Sequence, residues 1–209
     1  MNVKSFDIRK ALLESGKQEF LARGFKGASL RAVCKRAEVT TGAFYSYFDK
    51  KEELFAAIID PMLEEYYKMY DAVFRRSLED IKTNEANELA AITFISAHRD
   101  EFRLLFDCSE GTKYEGFKQK LIEEVFVPTY QACFDHYLQT KVDPDIVRVF
   151  VQIKFHEYME LIFGDYTTDK IKKLTGLYAA FADAGVERIV QILQDTSAEQ
   201  KHDEEKADN

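Results

Sequence analysis

The chain is sparsely punctuated. Nine glycines and three prolines in 209 residues are too few for the turns of a many-stranded sheet, and long helices separated by short breaks fit better. No stretch approaches the ~18–20 consecutive apolar residues needed to cross a bilayer. The start, MNVKSFDIRKALLESG, lacks the unbroken apolar core of a secretory signal. Cys34, Cys108 and Cys133 are odd in number and far apart, which suits a reducing compartment better than a disulfide framework. The cytoplasm is therefore expected, with no membrane contact. No Gly-rich phosphate loop is present, no cysteine pair has zinc-ligand spacing, and the four histidines are scattered. His156 and Glu160 stand four apart on one helical face, and an ordinary side-chain pair is the better reading than a metal site. Cys108 lies near Glu110, Lys113 and Tyr114, with no evident general base beside it. Hence no catalytic residue, metal or cofactor is expected, and the chain reads as a non-enzyme.

What is present is apolar mass, at 46% hydrophobic and 13% aromatic residues, enough for one sizeable core or two modest ones. The net charge of -8 argues against nucleic acid only until its distribution is considered. Residues 1–55 hold 11 Lys and Arg against 7 Asp and Glu, leaving 18 against 30 for the remainder. A basic head precedes an acidic body.

Helical spacing runs from about Asp7 to Arg23, and Gly24 stands where a terminating glycine belongs. A second helix starts after Ser29, and a third, short one covers about Thr41 to Phe48. Asp49 can cap a fourth, with Glu52 as its capping-box partner, running toward Ile81 and kinked at Pro61. Further helices are expected at about 85–99, 101–108, 114–139 (bent by Pro128), 144–163 and 169–194. Residues 195–209 carry six acids, two lysines and no large apolar side chain, so disorder is expected there. The fold class is all-α: a three-helix head over 1–50, a helical body over 51–194 and the acidic tail.

Residues 29–48, SLRAVCKRAEVTTGAFYSYF, read as two short helices joined at Glu38-Val39-Thr40. Leu30, Val33, Ala37, Val39, Phe44 and Phe48 can lock them into a small core closed by Phe25. Such a helix-turn-helix must be rigid, because its second helix enters a major groove about 12 Å wide. The surface left on that helix is Thr40, Thr41, Gly42, Ala43, Tyr45, Ser46 and Tyr47. Its hydroxyls can donate to phosphates or base edges, and Gly42 and Ala43 let the backbone come close. Ser29 offers a hydroxyl and backbone amides at a helix start, and Lys51 adds a positive charge. Arg31 and Lys35 either touch the backbone or form a solvated face.

This run resembles the TetR family of regulators over roughly residues 7–58. The resemblance rests on Phe25, Ser29-Leu30, Val39-Thr40-Thr41-Gly42-Ala43-Phe44-Tyr45, Tyr47-Phe48, and Lys51-Glu52 followed by Leu54. It implies a homodimer on a palindromic double-stranded operator, released by a small-molecule effector bound in the body, with repression the better reading. It also implies that Ser29, Thr40, Thr41, Gly42, Ala43, Tyr45, Tyr47 and Lys51 contact DNA. Two positions depart from the family pattern: Glu38 stands at the turn where the family has Gly, and Cys34 replaces a small Ala.

In the body, the 146–163 segment is apolar nearly all round, and 169–194 aligns large apolar residues with small ones. Both are expected to meet their twofold mates, with Phe150, Ile153, Leu174, Tyr178, Phe181, Gly185 and Ile189 at the dimer interface, an arrangement the resemblance also implies. The middle helices are rich in aromatics, and Tyr70, Phe94, His98, Tyr130, Phe134, Phe155 and Tyr158 are the candidate effector-binding wall. The alternatives are a ligand-independent architectural DNA-binding protein, and a helical interaction module or small helical enzyme whose helix-turn-helix merely packs.

Overall fold

A computed structural model describes residues 3–79, 84–139 and 141–207, and the regular structure in them is helical throughout. In chain order the helices are α1 (Val3–Gly27), α2 (Leu30–Arg36), α3 (Thr41–Phe44), α4 (Lys51–Glu79), α5 (Asn84–Ala97), α6 (Arg99–Asp107), α7 (Phe117–Lys120), a π-helical turn (Leu121–Phe126), α8 (Val127–Leu138), α9 (Pro144–Phe163) and α10 (Thr168–Ala207). Gly24 breaks the first helix as its position suggests, with φ 64° and ψ 167°, a backbone conformation that a side chain disfavours.

The chain divides into two compact units. One comprises the residues up to Tyr70 with Phe94–Leu121; the other comprises Asp71–Thr93 with everything from Ile122 onward. The division thus departs from the expected boundary at residue 50. α4 as far as Tyr70 belongs to the first unit, and its first turns pack against α1. A Cβ on Gly16 would sit 2.7 Å from Leu54 Cδ2, and Phe20 and Phe55 meet edge to face at 5.1 Å. Phe25 joins the same cluster, 5.5 Å from Phe55. α6 joins for a similar reason: it packs on α1, where Lys17 reaches Glu101 at 2.9 Å. The loop after α6 then grips the end of α1, with Phe25 N donating to the Cys108 carbonyl at 2.8 Å.

In the second unit α9 packs between α8 and α10. Phe150 meets Tyr130 at 5.5 Å and Phe134 at 5.4 Å, and Val147, Val151, Leu161 and Ile162 are buried. Asp143 caps α9 by accepting from Asp145 N at 2.9 Å, with Pro144 at the first helical position.

Three further expectations are corrected. The single helix over 114–139 is instead a turn, the short α7, a π-helical turn and α8. Pro128 has no N–H to give to the preceding ladder, and the hydrogen-bond register widens ahead of it. The capping partner at the start of α4 is Glu53, not Glu52: Asp49 N donates to Glu53 Oε2 at 2.8 Å. The last helix, expected to end at 194, continues as α10 to Ala207. Its Ala, Glu, Gln and Lys are strong helix formers, and extending a nucleated helix needs no burial. Ile81 and residues 208–209 lie outside the described residues.

Candidate nucleic-acid interface

The head's turn is organised by a buried carboxylate that sequence reasoning did not single out. Glu19 is almost fully buried. It accepts from Ser29 N at 3.2 Å, from Arg36 Nη1 at 3.4 Å and pairs with Arg23 Nε at 3.5 Å. One acid on α1 thereby fixes both ends of α2. The only sequence signal was an acid on the apolar side of α1. The turn itself closes through Val39 N donating to the Cys34 carbonyl at 3.0 Å. Glu38 takes φ 56°, so the position where the family has Gly does adopt the left-handed conformation. Cys34 is buried, and burial pushes its thiol pKa up, so it packs as a small apolar residue.

On this base α3 presents one face inward and one outward. Phe44 and Phe48 are buried with their tilted rings 5.7 Å apart, and Val33 and Phe25 are buried too. Thr40 caps α3 by accepting from Ala43 N at 3.1 Å. Thr40, Thr41, Gly42 and Ser46 are exposed, Ala43 and Tyr47 are half-buried, and Tyr45 is 55% exposed. A Cβ on Gly42 would meet nothing closer than Thr40 Oγ1 at 3.8 Å. The fold therefore does not need glycine there. Rotational play is small, because Tyr47 N and Phe48 N both return to the Phe44 carbonyl.

Two of the candidate DNA contacts have work inside the head. Ser29 is exposed, but its backbone N–H is not free for an anion, since Glu19 takes it. Lys51 is half-buried; its ammonium donates to the carbonyls of Phe25 at 2.6 Å and Ala28 at 3.1 Å and lies 4.4 Å from the Phe25 ring centre. It ties the end of α1 to the start of α4, which leaves one of its three donors for a phosphate.

The candidate effector residues fall into both units. Phe94 packs on His98 at 4.6 Å and on Tyr66 at 6.1 Å, and Tyr70 lies 6.1 Å from Tyr66. In the second unit Phe134 and Phe155 are buried, while Tyr130 and Tyr158 are half-buried by their residue exposure. There the Tyr158 hydroxyl donates to Glu88 Oε2 and Lys154 donates to Glu88 Oε1. Burial, and then the Glu88 charge, push the Tyr158 pKa up. Neither Glu88 nor Lys154 was anticipated; a lone lysine on so apolar a helix was the available signal.

The candidate dimer residues largely face out. Ile153 is 65% and Phe181 76% exposed, and Tyr178 and Gly185 are exposed with them. A Cβ on Gly185 would meet nothing within 4 Å. Leu174 and Ile189 are half-buried. Phe150 differs, because its ring is taken by Tyr130 and Phe134 inside the unit. Val149, Leu177 and Ile192 are exposed on the same two helices and extend the apolar face. His156 and Glu160 do not pair: His156 Nδ1 lies 2.9 Å from the Gln152 carbonyl, and Glu160 accepts from the Tyr166 hydroxyl.

An all-helical chain whose head is a rigid helix-turn-helix defines a class of DNA-binding regulators, and comparison with known proteins agrees. Residues 12–58 match bacterial regulatory proteins of the tetR family, and the chain is similar to regulators of that family. It is 41% identical over 81 residues to the HTH-type transcriptional repressor NemR of Escherichia coli K12, a match covering 39% of this chain and 37% of NemR. Against the uncharacterized HTH-type transcriptional regulator YhgD of Bacillus subtilis it is 26% identical over 172 residues, covering 76% of this chain and 84% of YhgD. The crystal structure of a transcriptional regulator from Aquifex aeolicus VF5 superposes with a TM-score of 0.58 at 22% identity, covering 84% of this chain and 99% of that one. These relatives are transcriptional regulators, not enzymes, and the described residues contain no helix long and apolar enough to cross a membrane.

Proposed function

We propose that this chain is a ligand-responsive transcriptional repressor that binds a palindromic double-stranded operator as a homodimer in the cytoplasm. The observation carrying this reading is the exposed Thr40, Thr41, Gly42 and Tyr45 surface, mounted on a buried Phe44–Phe48 anchor. Thr and Tyr hydroxyls reach phosphates and base edges, and Gly42 and Ala43 bring the backbone close to the duplex. Ser29 contributes its hydroxyl and Lys51 its remaining donor.

Dimerisation is supported by the apolar face that Val149, Ile153, Leu177, Tyr178 and Phe181 leave uncovered on α9 and α10. Two such faces make a four-helix interface. The two heads then read half-sites about one DNA turn apart, roughly 34–36 Å. The effector site lies in the second unit, among Tyr130, Phe134, Phe155 and Tyr158. An effector that favours another arrangement of the body weakens operator binding, and by linkage the operator weakens effector binding equally.

Selection of preferred duplexes from a random pool by the full chain tests this. An inverted repeat with half-sites about ten base pairs apart is expected. Recovery of no motif, or of one lacking twofold symmetry, would overturn the reading.

A further inference from the structure

Lys154 and Glu88 are the one oppositely charged pair among the described residues in which both side chains are buried, at 6% and 5% exposure. Lys154 comes from α9 and Glu88 from α5, and the Tyr158 hydroxyl, one helical turn beyond Lys154, closes the cluster on the other carboxylate oxygen. A buried ion pair contributes little stability compared with apolar residues of the same size. Its presence in so apolar a body calls for a reason other than holding the fold.

The donors supply that reason. An ammonium carries three N–H groups. Lys154 gives one to Glu88 and stands 5.6 Å from the Tyr158 ring centre, and no second acceptor for it occurs among the described residues. Glu88, by contrast, has both oxygens engaged. The cluster therefore keeps spare donors on Lys154, while each Glu88 oxygen already accepts one hydrogen bond. Charge narrows the choice further. Lys154 and Glu88 already neutralise each other, so a cationic ligand would have to displace Lys154. An anionic ligand would add an uncompensated charge beside Glu88 and the half-buried Glu157. An uncharged oxygen acceptor takes a spare Lys154 N–H at no such cost. Aromatic rings flank α9, with Phe126 6.1 Å from Phe155 and Tyr130 5.5 Å from Phe150.

We propose that Glu88, Lys154 and Tyr158 form the polar anchor of the effector site and select an uncharged apolar molecule that carries a carbonyl oxygen. This rests on the ligand-responsive reading above. Glu88 orients the lysine, Tyr158 holds Glu88, and Lys154 donates to the ligand.

The test measures binding of four naphthalene derivatives to the full chain without DNA: the methyl ketone, the ethyl analogue of equal shape, the carboxylate and the aminomethyl cation. The ketone is expected to bind at least about tenfold more tightly than each of the others. The double variant Glu88→Gln with Lys154→Met keeps an acceptor for Tyr158 and removes both charges. It should bind ketone and ethyl analogue equally. A wild-type chain that prefers the ethyl analogue or either ion, that binds none of the four, or a folded double variant that keeps the ketone preference, would overturn the proposal. The wild-type series decides the matter even if the double variant does not fold. Because no DNA is present, failure here leaves the operator selection standing, and failure of that selection leaves this result standing.

Discussion

Gly42 is a position that the fold does not require and the proposed function does. A methyl group added there meets no atom of the chain closer than ordinary contact, and alanine is the better helix former by up to ~1 kcal/mol. Gly42→Ala should therefore leave the melting temperature unchanged or raised, while operator affinity falls at least about tenfold. Thermal melts and DNA titrations on the same preparation check both halves, and unchanged affinity would contradict close backbone approach. Glu38 is the converse case. Its left-handed φ of 56° stores ~1–2 kcal/mol, part of which Glu38→Gly returns, since glycine also loses more freedom on folding. A small rise in melting temperature is expected, and a fall would mean that the Glu38 side chain supports the turn. The left-handed turn at Glu38 was legible in the sequence, because turn chemistry is local. The jobs of Glu19 and Lys51 were not, since each depends on partners that only the packed head brings near.

At the level of elements, the breaks that were read correctly are those with a local chemical cause. Gly24 ends the first helix by its φ, and the Asp143-Pro144 pair starts α9 by a cap and a preset φ. The π-helical turn ahead of Pro128 and the helical course of α10 beyond 194 were missed, because apolar spacing is silent about hydrogen-bond register and about helix in a polar run. The junction of α8 and α9 has a pH signature of its own. Asp135 accepts from Lys141 Nζ at 2.8 Å, Val142 N at 2.9 Å and Gln131 Nε2 at 2.9 Å. The Lys141 hydrogen bond first, and then that of Val142, lower its pKa to about 2. A carboxyl group held below its unfolded value of roughly 3.9 stabilises the fold fully above that value, and the contribution is lost as pH falls toward about 2. Denaturation midpoints followed from pH 5 downward should thus fall more steeply for the wild type than for Asp135→Asn. Parallel curves would assign the acid response to other groups.

Across the whole molecule, the all-α class and the head-and-body order could be read from periodicity and charge. The division into two compact units could not, because it depends on α6 and most of α4 joining α1. The outward face of α9 and α10 makes the dimer testable. Phe181→Glu places a charge at the most exposed large apolar side chain of that face, and burying it unpaired opposes association. Sedimentation should show a monomer at micromolar protein, with operator affinity lower by about a hundredfold or more as the two half-sites are no longer linked. A variant that stays dimeric would move the interface elsewhere. The central claim is that the surface from Thr40 to Tyr47 lies against DNA. Thr41→Cys, presented with a selected duplex carrying a disulfide-activated tether at a half-site base, tests it directly, with Glu187→Cys on α10 as the control. A covalent complex from the Thr41 variant alone is the predicted result; no cross-link there, or equal yield from the control, would contradict the account.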